Sequence, residues 1–437
     1  MQGYKILLGA SLLLITLFVL IVHILVPGSD SKPEISLSAI DLTKNLEDQN
    51  REKLYNMRLR ELNTALKTYF DNAILSGDIV GAGVSIVQGD SILISDGFGK
   101  KNISLNEEVN GETIFRLGSL SKGFAGVLAA DLKSEGKLDW DYKIHDYLPE
   151  FQLGDSENTD KITLANILSH TSGTPYHSYT NLVEAGLPLN VIATRFKEVM
   201  PISEPGSMYS YQNAIFALCE EVMHKVTGKD IATSLTNRFF NPLGMCTAIM
   251  DYETLANTKN VAMPHTQRRD QWKVLPLSDN YYNAIAAGGI NASPLDMAKW
   301  MRFLLGHHPE LMDKAAISET FNPFIEIKGR SKYYQRWPGH LSSYYGFGWR
   351  IHKFLGNDNE EEKTIWHHGG SVNDFRNEIA VYPEDDLGIC VLLNSNSTKL
   401  AQTVIPDLYA IVNKIYDETA SSFLQPSIEI SSTSFED

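Results

Sequence analysis

A serine placed three residues before a lysine is the pattern in this sequence with the most chemical potential. On a helix, positions i and i+3 share a face, so a hydroxyl and an amine one turn apart can meet. An amine that is desolvated near other cations or dipoles loses its proton and can activate the hydroxyl as a nucleophile. The Ser-x-x-Lys pattern occurs at Ser29/Lys32, Ser119/Lys122 and Ser134/Lys137. Chance alone supplies roughly one or two in a chain of this length at average residue usage. The first lies in a charged stretch near the N-terminus. The third closes a helical pattern at Lys133-Ser134-Glu135-Gly136. Ser119 alone has fitting surroundings. It follows Phe115-Arg116-Leu117-Gly118 and opens an apolar helical run, Gly123-Phe124-Ala125-Gly126-Val127-Leu128-Ala129-Ala130. A helix N-terminus offers unpaired N–H groups and positive potential to an oxyanion. Read locally, Ser119 fits a helix N-cap equally well.

Other candidates are weaker. His170 and His265 have no companion spacing such as His-Glu-x-x-His, so they read as structural histidines. Cys219, Cys246 and Cys390 are far apart, which excludes a disulfide framework and a Cys-x-x-Cys metal knuckle. No metal and no cofactor is expected. Gly369-Gly370 alone makes no phosphate loop. Asn102, Asn291 and Asn396 begin Asn-x-Ser/Thr triplets, which matter only in a glycosylating host.

Phe115-Arg116-Leu117-Gly118-Ser119-Leu120-Ser121-Lys122 resembles the serine motif of the class C β-lactamase and penicillin-binding-protein superfamily. The resemblance continues in order along the chain. It includes Gly136-Lys137-Leu138-Asp139, Tyr147-Leu148-Pro149-Glu150-Phe151 and Ile162-Thr163 with Ile167-Leu168-Ser169-His170-Thr171-Ser172-Gly173. Pro242-Leu243-Gly244-Met245, Ala287-Gly288-Gly289-Ile290 and Tyr345-Gly346-Phe347-Gly348-Trp349 follow. About residues 60–416 are covered. The resemblance implies a serine hydrolase that works through an acyl-enzyme, with Ser119 as nucleophile and Lys122 as its proton acceptor.

The family's second motif is Tyr-x-Asn. Tyr179/Asn181, Tyr211/Asn213 and Tyr281/Asn283 all fit it. Pro205-Gly206-Ser207-Met208-Tyr209-Ser210 before Tyr211, and an apolar helix ending Val226-Thr227-Gly228 after it, single out Tyr211 and Asn213. A phenol beside an ammonium can exist as phenolate and relay protons. Asn213 can serve the substrate's amide or hold the lysine. The third motif, Lys-Thr-Gly in β-lactamases, is missing. Trp366-His367-His368-Gly369-Gly370-Ser371 stands in its place and resembles the His-x-Gly of esterase- and peptidase-like relatives. The family places a Phe seven residues after the His, and Phe375 selects His368. Asp374 stands where the family usually has Gly, which puts the local turn in question. The resemblance makes His368, Gly370 and Ser371 substrate-binding residues, with the Ser371 and Ser119 amides as oxyanion hole. Ser278-Asp279-Asn280 mimics a class A motif but falls after Tyr211 in order, and reads as coincidence.

The elements that must position these residues are legible in outline. Leu62, Leu66, Phe70 and Ala73 share a face of a helix over about 54–75. Period-two patterns predict hairpins at 84–87/91–94 and 379–382/389–393. Helical patterns dominate from Ser119 to about Lys314, and a last helix spans about 400–416. This predicts an α+β fold: an antiparallel sheet flanked by helices with an inserted all-helical region, as in β-lactamases and transpeptidases. The expected domains are an anchor over 1–27, a stalk over 28–60, the hydrolase over 61–416 and an acidic, Ser-rich, disordered tail over 417–437.

Ile6 to Val26 gives 21 residues without Asp, Glu, Lys or Arg, enough for a helix to span a bilayer's hydrocarbon layer. No Ala-x-Ala-like cleavage site closes the run, which favours an uncleaved single-pass anchor. Lys5 before it and Asp30 and Glu34 after it favour a body on the extracytoplasmic, periplasmic side. The net charge is −15, of which −11 lies in 61–416. That excludes an electrostatic nucleic-acid binder. The expected partners are therefore the membrane and a small-molecule or peptide substrate. A neutral histidine in place of the third-motif lysine favours an ester or a D-amino-acid or muropeptide amide over efficient β-lactam hydrolysis. The competing class is a non-catalytic, penicillin-binding-like wall sensor.

Overall fold

The two predicted hairpins, some three hundred residues apart, meet side by side in one sheet. A computed structural model describes residues 37–269, 271–356 and 361–424. Its main strands are β1 (Gly81–Gln88), β2 (Ser91–Asn102), β3 (Glu107–Glu108), β4 (Ile325–Glu326), β5 (His340–Tyr345), β6 (Arg350–Leu355), β7 (Glu362–Val372), β8 (Phe375–Tyr382) and β9 (Leu387–Leu393). They form a nine-stranded sheet in the order β3-β2-β1-β9-β8-β7-β6-β5-β4. Every pairing is antiparallel. Ile86 faces Ile389 and Val84 faces Val391 across the β1–β9 seam, which joins the two ends of the chain.

Period-two alternation gives the sheet two apolar faces. On one, Val84, Ile86, Ile389 and Val391 pack with Leu62, Leu66 and Phe70 of helix α1 (Leu37–Leu75) and with Val404 and Leu408 of the C-terminal helix, Thr398–Leu424. On the other, Ile379, Val381, Cys390 and Leu392 pack with the helical region and with α2 (Ser121–Ser134). Phe124 of α2 stacks on Trp300 at 4.2 Å between ring centroids. This is the expected α+β arrangement. The helical middle also contains a short antiparallel pair, His265–Arg268 with Gln271–Val274, which alternation too short to read did not predict.

The chain divides into two compact units at Met57/Arg58. Of the first, residues 37–57 form the beginning of α1, and its described side chains are exposed or half-buried. The last helix runs to Leu424 rather than stopping near 416. No helix among the described residues is long and apolar enough to cross a membrane. The run Ile6–Val26, the Ser29/Lys32 pair and residues 425–437 lie outside the described residues.

Candidate active site

Ser119 sits in a single 3₁₀ turn, Gly118–Leu120, that feeds directly into α2. N–H groups in a first turn have no intrahelical acceptor, so the Ser119 amide is available to a ligand. The side chain caps nothing. Its Oγ instead lies 3.2 Å from Lys122 Nζ and 2.9 Å from the Tyr211 hydroxyl. The i, i+3 spacing brings serine and lysine together. Tyr211 comes from a loop that enters the helical region at Ala214.

Lys122 is fully buried. Its Nζ donates to Asn213 Oδ1 at 2.8 Å and to the Ala287 carbonyl at 2.7 Å. Burial holds the amine well below its ordinary pKa, and Arg350 pushes in the same direction. Asn213 and Ala287 take two of the nitrogen's positions, so its remaining one faces Ser119. Burial pushes the Tyr211 phenol up to about 12, opposed by Arg350 and by its bond to Ser119. Tyr211 donates to Ser119 as a phenol, because burial disfavours the phenolate that a neighbouring ammonium would favour. Asn213 donates to Tyr281 at 3.1 Å, which fixes its amide orientation and commits its oxygen to the lysine.

Gly118 has φ +56°, and a Cβ there would come within 3.0 Å of the Ser371 nitrogen and 2.9 Å of its carbonyl carbon. Only glycine lets the nucleophile's turn approach β7 so closely. Gly370 backs onto the Leu117 carbonyl, where a side chain would collide. Ser119, Tyr211, Asn213, Gly370 and Ser371 line one cavity of about 510 Å³.

His368 does not line it. Alternation along β7 aims the ring at Tyr345, and the side chain is completely buried. Its surroundings fix a chain of donors. Gln212 N–H donates to His170 Nδ1 at 3.2 Å, so His170 carries its proton on Nε2 and donates to Tyr345 at 3.1 Å. Tyr345 then donates to His368 Nε2 at 2.9 Å, and His368 Nδ1–H donates to the Gly369 carbonyl at 2.8 Å. Burial keeps both imidazoles neutral. The His170 ring lies 4.2 Å from the Tyr211 ring, so this chain backs the tyrosine that touches Ser119.

The other candidates are occupied elsewhere. His265 Nε2 accepts from Ile103 N–H. Ser134 donates to the Asp131 carbonyl and Lys137 pairs with Glu135. Ser278 and Asn280 offer their carbonyls to the buried Arg116 guanidinium, and Ser278 Oγ accepts from Asn280 N–H. At the turn after β7, Asn373 (φ +43°) and Asp374 (φ +63°) are both left-handed. Asn and Asp tolerate that region better than other side chains, so Asp374 fits the left-handed turn position. Asn373 also accepts from Arg116 at 3.0 Å.

The sequence of the chain matches the β-lactamase family over residues 54–413. The chain belongs to the β-lactamase family. This is a family of serine hydrolases. Over 340 residues the chain is 26% identical to the unguisins hydrolase ungD' of Aspergillus campestris, covering 73% of this chain and 59% of that protein. It is 23% identical over 361 residues to protein flp of Staphylococcus aureus, covering 82% of this chain and 68% of flp. Among solved structures, the octameric penicillin-binding protein homologue from Pyrococcus abyssi superposes with a TM-score of 0.67 at 22% identity. That match covers 79% of this chain and 77% of the archaeal one, and it shows the shared fold.

Arg350 is the main site residue that the family motifs did not reveal. It opens β6 directly after Tyr345-Gly346-Phe347-Gly348-Trp349 and lines the same cavity as Ser119. Its guanidinium lies 5.0 Å from the centre of the Tyr334 ring. Nε and Nη1 are buried without a hydrogen-bond partner. The only sequence signal was a cation between two buried apolar residues, Trp349 and Ile351. Lys332 and Arg376 line the cavity as well, with Glu184 and Glu378 as its acidic groups.

Proposed function

We propose that the chain hydrolyses an amide or ester bearing a nearby carboxylate, through an acyl-enzyme on Ser119. The observation that carries this reading is a serine hydroxyl held between a buried, neutral lysine and a neutral tyrosine. Lys122 takes the Ser119 proton as Oγ attacks the carbonyl carbon. The Ser119 and Ser371 amides face the developing oxyanion, where loss of one such donor typically costs ~10²–10³ in rate. Tyr211 passes a proton to the leaving group, and water then releases the acyl chain by the reverse sequence. Asn213 and the Ala287 carbonyl orient the lysine, and His368 acts through Tyr345 as a support.

Arg350 supports the carboxylate. Arg350 lines the cavity, and a guanidinium pairs with a carboxylate through two parallel N–H···O bonds. It supplies the cation that the third motif lacks, so a short D-amino-acid peptide or muropeptide with a free end is the favoured substrate class. The Aspergillus relative is named a hydrolase of unguisins, which agrees with hydrolysis but leaves this chain's substrate to be assayed. We place the hydrolase at a membrane, held by the 6–26 run with its body on the extracytoplasmic side. The test compares acyl-D-peptides with free and amidated C-termini. Preference for the free acid, lost in Arg350→Met, is expected. Equal turnover of both would remove the carboxylate from the proposal.

A further inference from the structure

Below the cavity, a line of hydrogen bonds runs away from Ser119 that the acyl-transfer chemistry does not use. Tyr333 donates to the Glu378 carboxyl group at 2.8 Å. Glu378 Oε2 lies 2.8 Å from His367 Nε2, and His367 Nδ1 lies 3.0 Å from His352 Nε2. His352 Nδ1 lies 2.8 Å from Ser343 Oγ, which lies 2.7 Å from His340 Nε2. Glu378 and Tyr333 line the 510 Å³ cavity that contains Ser119. Ser343 and His340 line a second cavity of about 350 Å³.

Between the two ends the line is dry. His367 and His352 are 0% and 1% exposed. The Trp337 ring lies 4.8 Å from His367 and the Tyr334 ring 4.8 Å from His352, so the 333–337 turn roofs both. Gly369 makes room for the inner end. A Cβ there would stand 2.7 Å from the Tyr333 hydroxyl and 3.0 Å from both Glu378 oxygens. Arg350 and Arg376 face Glu378, Arg350 also faces both buried histidines, His368 faces His367, and Arg330 faces His340. Burial pushes the Glu378 carboxyl up to about 8 and holds His367 and His352 neutral.

We propose that Glu378, His367, His352, Ser343 and His340 form a proton path between the candidate catalytic cavity and the second cavity. Four hops move one proton. The Glu378 carboxyl gives its proton to His367 Nε2, His367 Nδ1–H gives to His352 Nε2, His352 Nδ1–H gives to Ser343 Oγ, and the Ser343 O–H gives to His340 Nε2. Glu378 ends as a carboxylate and His340 as an imidazolium. The residues between end neutral with their tautomers exchanged. The path rests on the reading that acyl transfer occurs at Ser119. Ester hydrolysis there yields an alcohol and a carboxylic acid that sheds one proton at neutral pH, whereas in amide hydrolysis the amine product takes up that proton. The Lys122–Tyr211 pair only returns the nucleophile's proton to the leaving group, so the product's proton needs an exit while the cavity is occupied.

The test uses full-length Ser343→Ala, with Ser343→Thr as the variant that keeps the hydroxyl and His352→Asn as a second break. With p-nitrophenyl acetate in dilute buffer, Ser343→Ala should turn over roughly three- to ten-fold more slowly, a modest share of what general acid–base groups contribute. Concentrated imidazole should restore the rate, and Ser343→Thr should retain it. Fluorophosphonate labelling of Ser119 releases fluoride and one proton only once per molecule, needs no repeated proton export, and should be unchanged. Unaltered turnover in dilute buffer, or a loss that imidazole does not relieve, overturns the path. A second readout is independent of catalysis. Protonated His340 cannot accept from Ser343, whose O–H must then turn to His352 Nδ1 and shift its proton to Nε2. Nitrogen-15 shifts of His352 and His367 should therefore move at the His340 midpoint in wild type and stop doing so in Ser343→Ala. Histidine shifts that ignore His340 in wild type overturn the path even if Ser119 is the nucleophile. Absent labelling of Ser119 in wild type speaks against the catalytic reading alone.

Discussion

At the scale of single residues, the site turns on where protons sit. The proposed mechanism makes Lys122 the base, with burial lowering its pKa, so Lys122→Arg, which stays protonated, should fail as completely as Lys122→Met. Either should cut kcat/KM by roughly 10²–10⁴, the usual share of a general base, with kinetics on a chromogenic ester as the check. The pH sign follows. The folded-state pKa of this basic group is depressed, so the active, neutral form is lost as pH falls through that lowered value. The acid limb of kcat/KM should thus lie well below the ordinary lysine range, and an acid limb near that range would contradict a neutral base. Stability runs with the same sign. Folding expels a proton from Lys122, which costs stability below the ordinary lysine pKa and costs nothing above it. Lys122→Met should accordingly raise the thermal midpoint at neutral pH while abolishing activity, a trade common to buried catalytic charges. Arg350→Met should raise KM for carboxylated substrates by ten-fold or more, since charge-assisted bonds contribute ~1.5–3 kcal/mol. It should leave kcat for an uncharged ester nearly unchanged.

At the scale of elements, backbone placement decides what the side chains can do. The Ser119–Lys122 pair was legible because helix spacing is local. Tyr211 and Asn213 were legible because a motif kept its context. Arg350 and Glu378 were not, since each reaches the cavity only through the register of β6, β7 and β8. The Ala287 carbonyl that orients the lysine carries no side-chain signature at all. His368 was read from its motif, yet alternation along β7 turns it behind the cavity wall. Gly370→Ala tests this scale. Its Cβ would drive β7 off the Leu117 carbonyl and move the Ser371 amide. Loss of roughly 10²-fold or more in kcat is expected, comparable to removing an oxyanion donor, with smaller effects on KM.

At the scale of the whole molecule, the sheet is closed by strands from both ends of the chain, and the catalytic turn is clamped between sheet and helical region. That topology accounts for one hydrolytic unit across residues that length alone would divide. The acidic charge of the body does not identify a substrate. Removing residues 1–36 should leave esterase activity intact and shift the protein from membrane to soluble fractions, which fractionation and immunoblotting can follow. Activity that disappears with the N-terminal segment would show that the segment belongs to the working fold. The central claim concerns one oxygen atom. Full-length protein treated with a fluorophosphonate probe should carry a single adduct, located by peptide mass spectrometry on Ser119, and absent from Ser119→Ala and Lys122→Met. An adduct on another residue, or labelling that survives Ser119→Ala, would contradict the account.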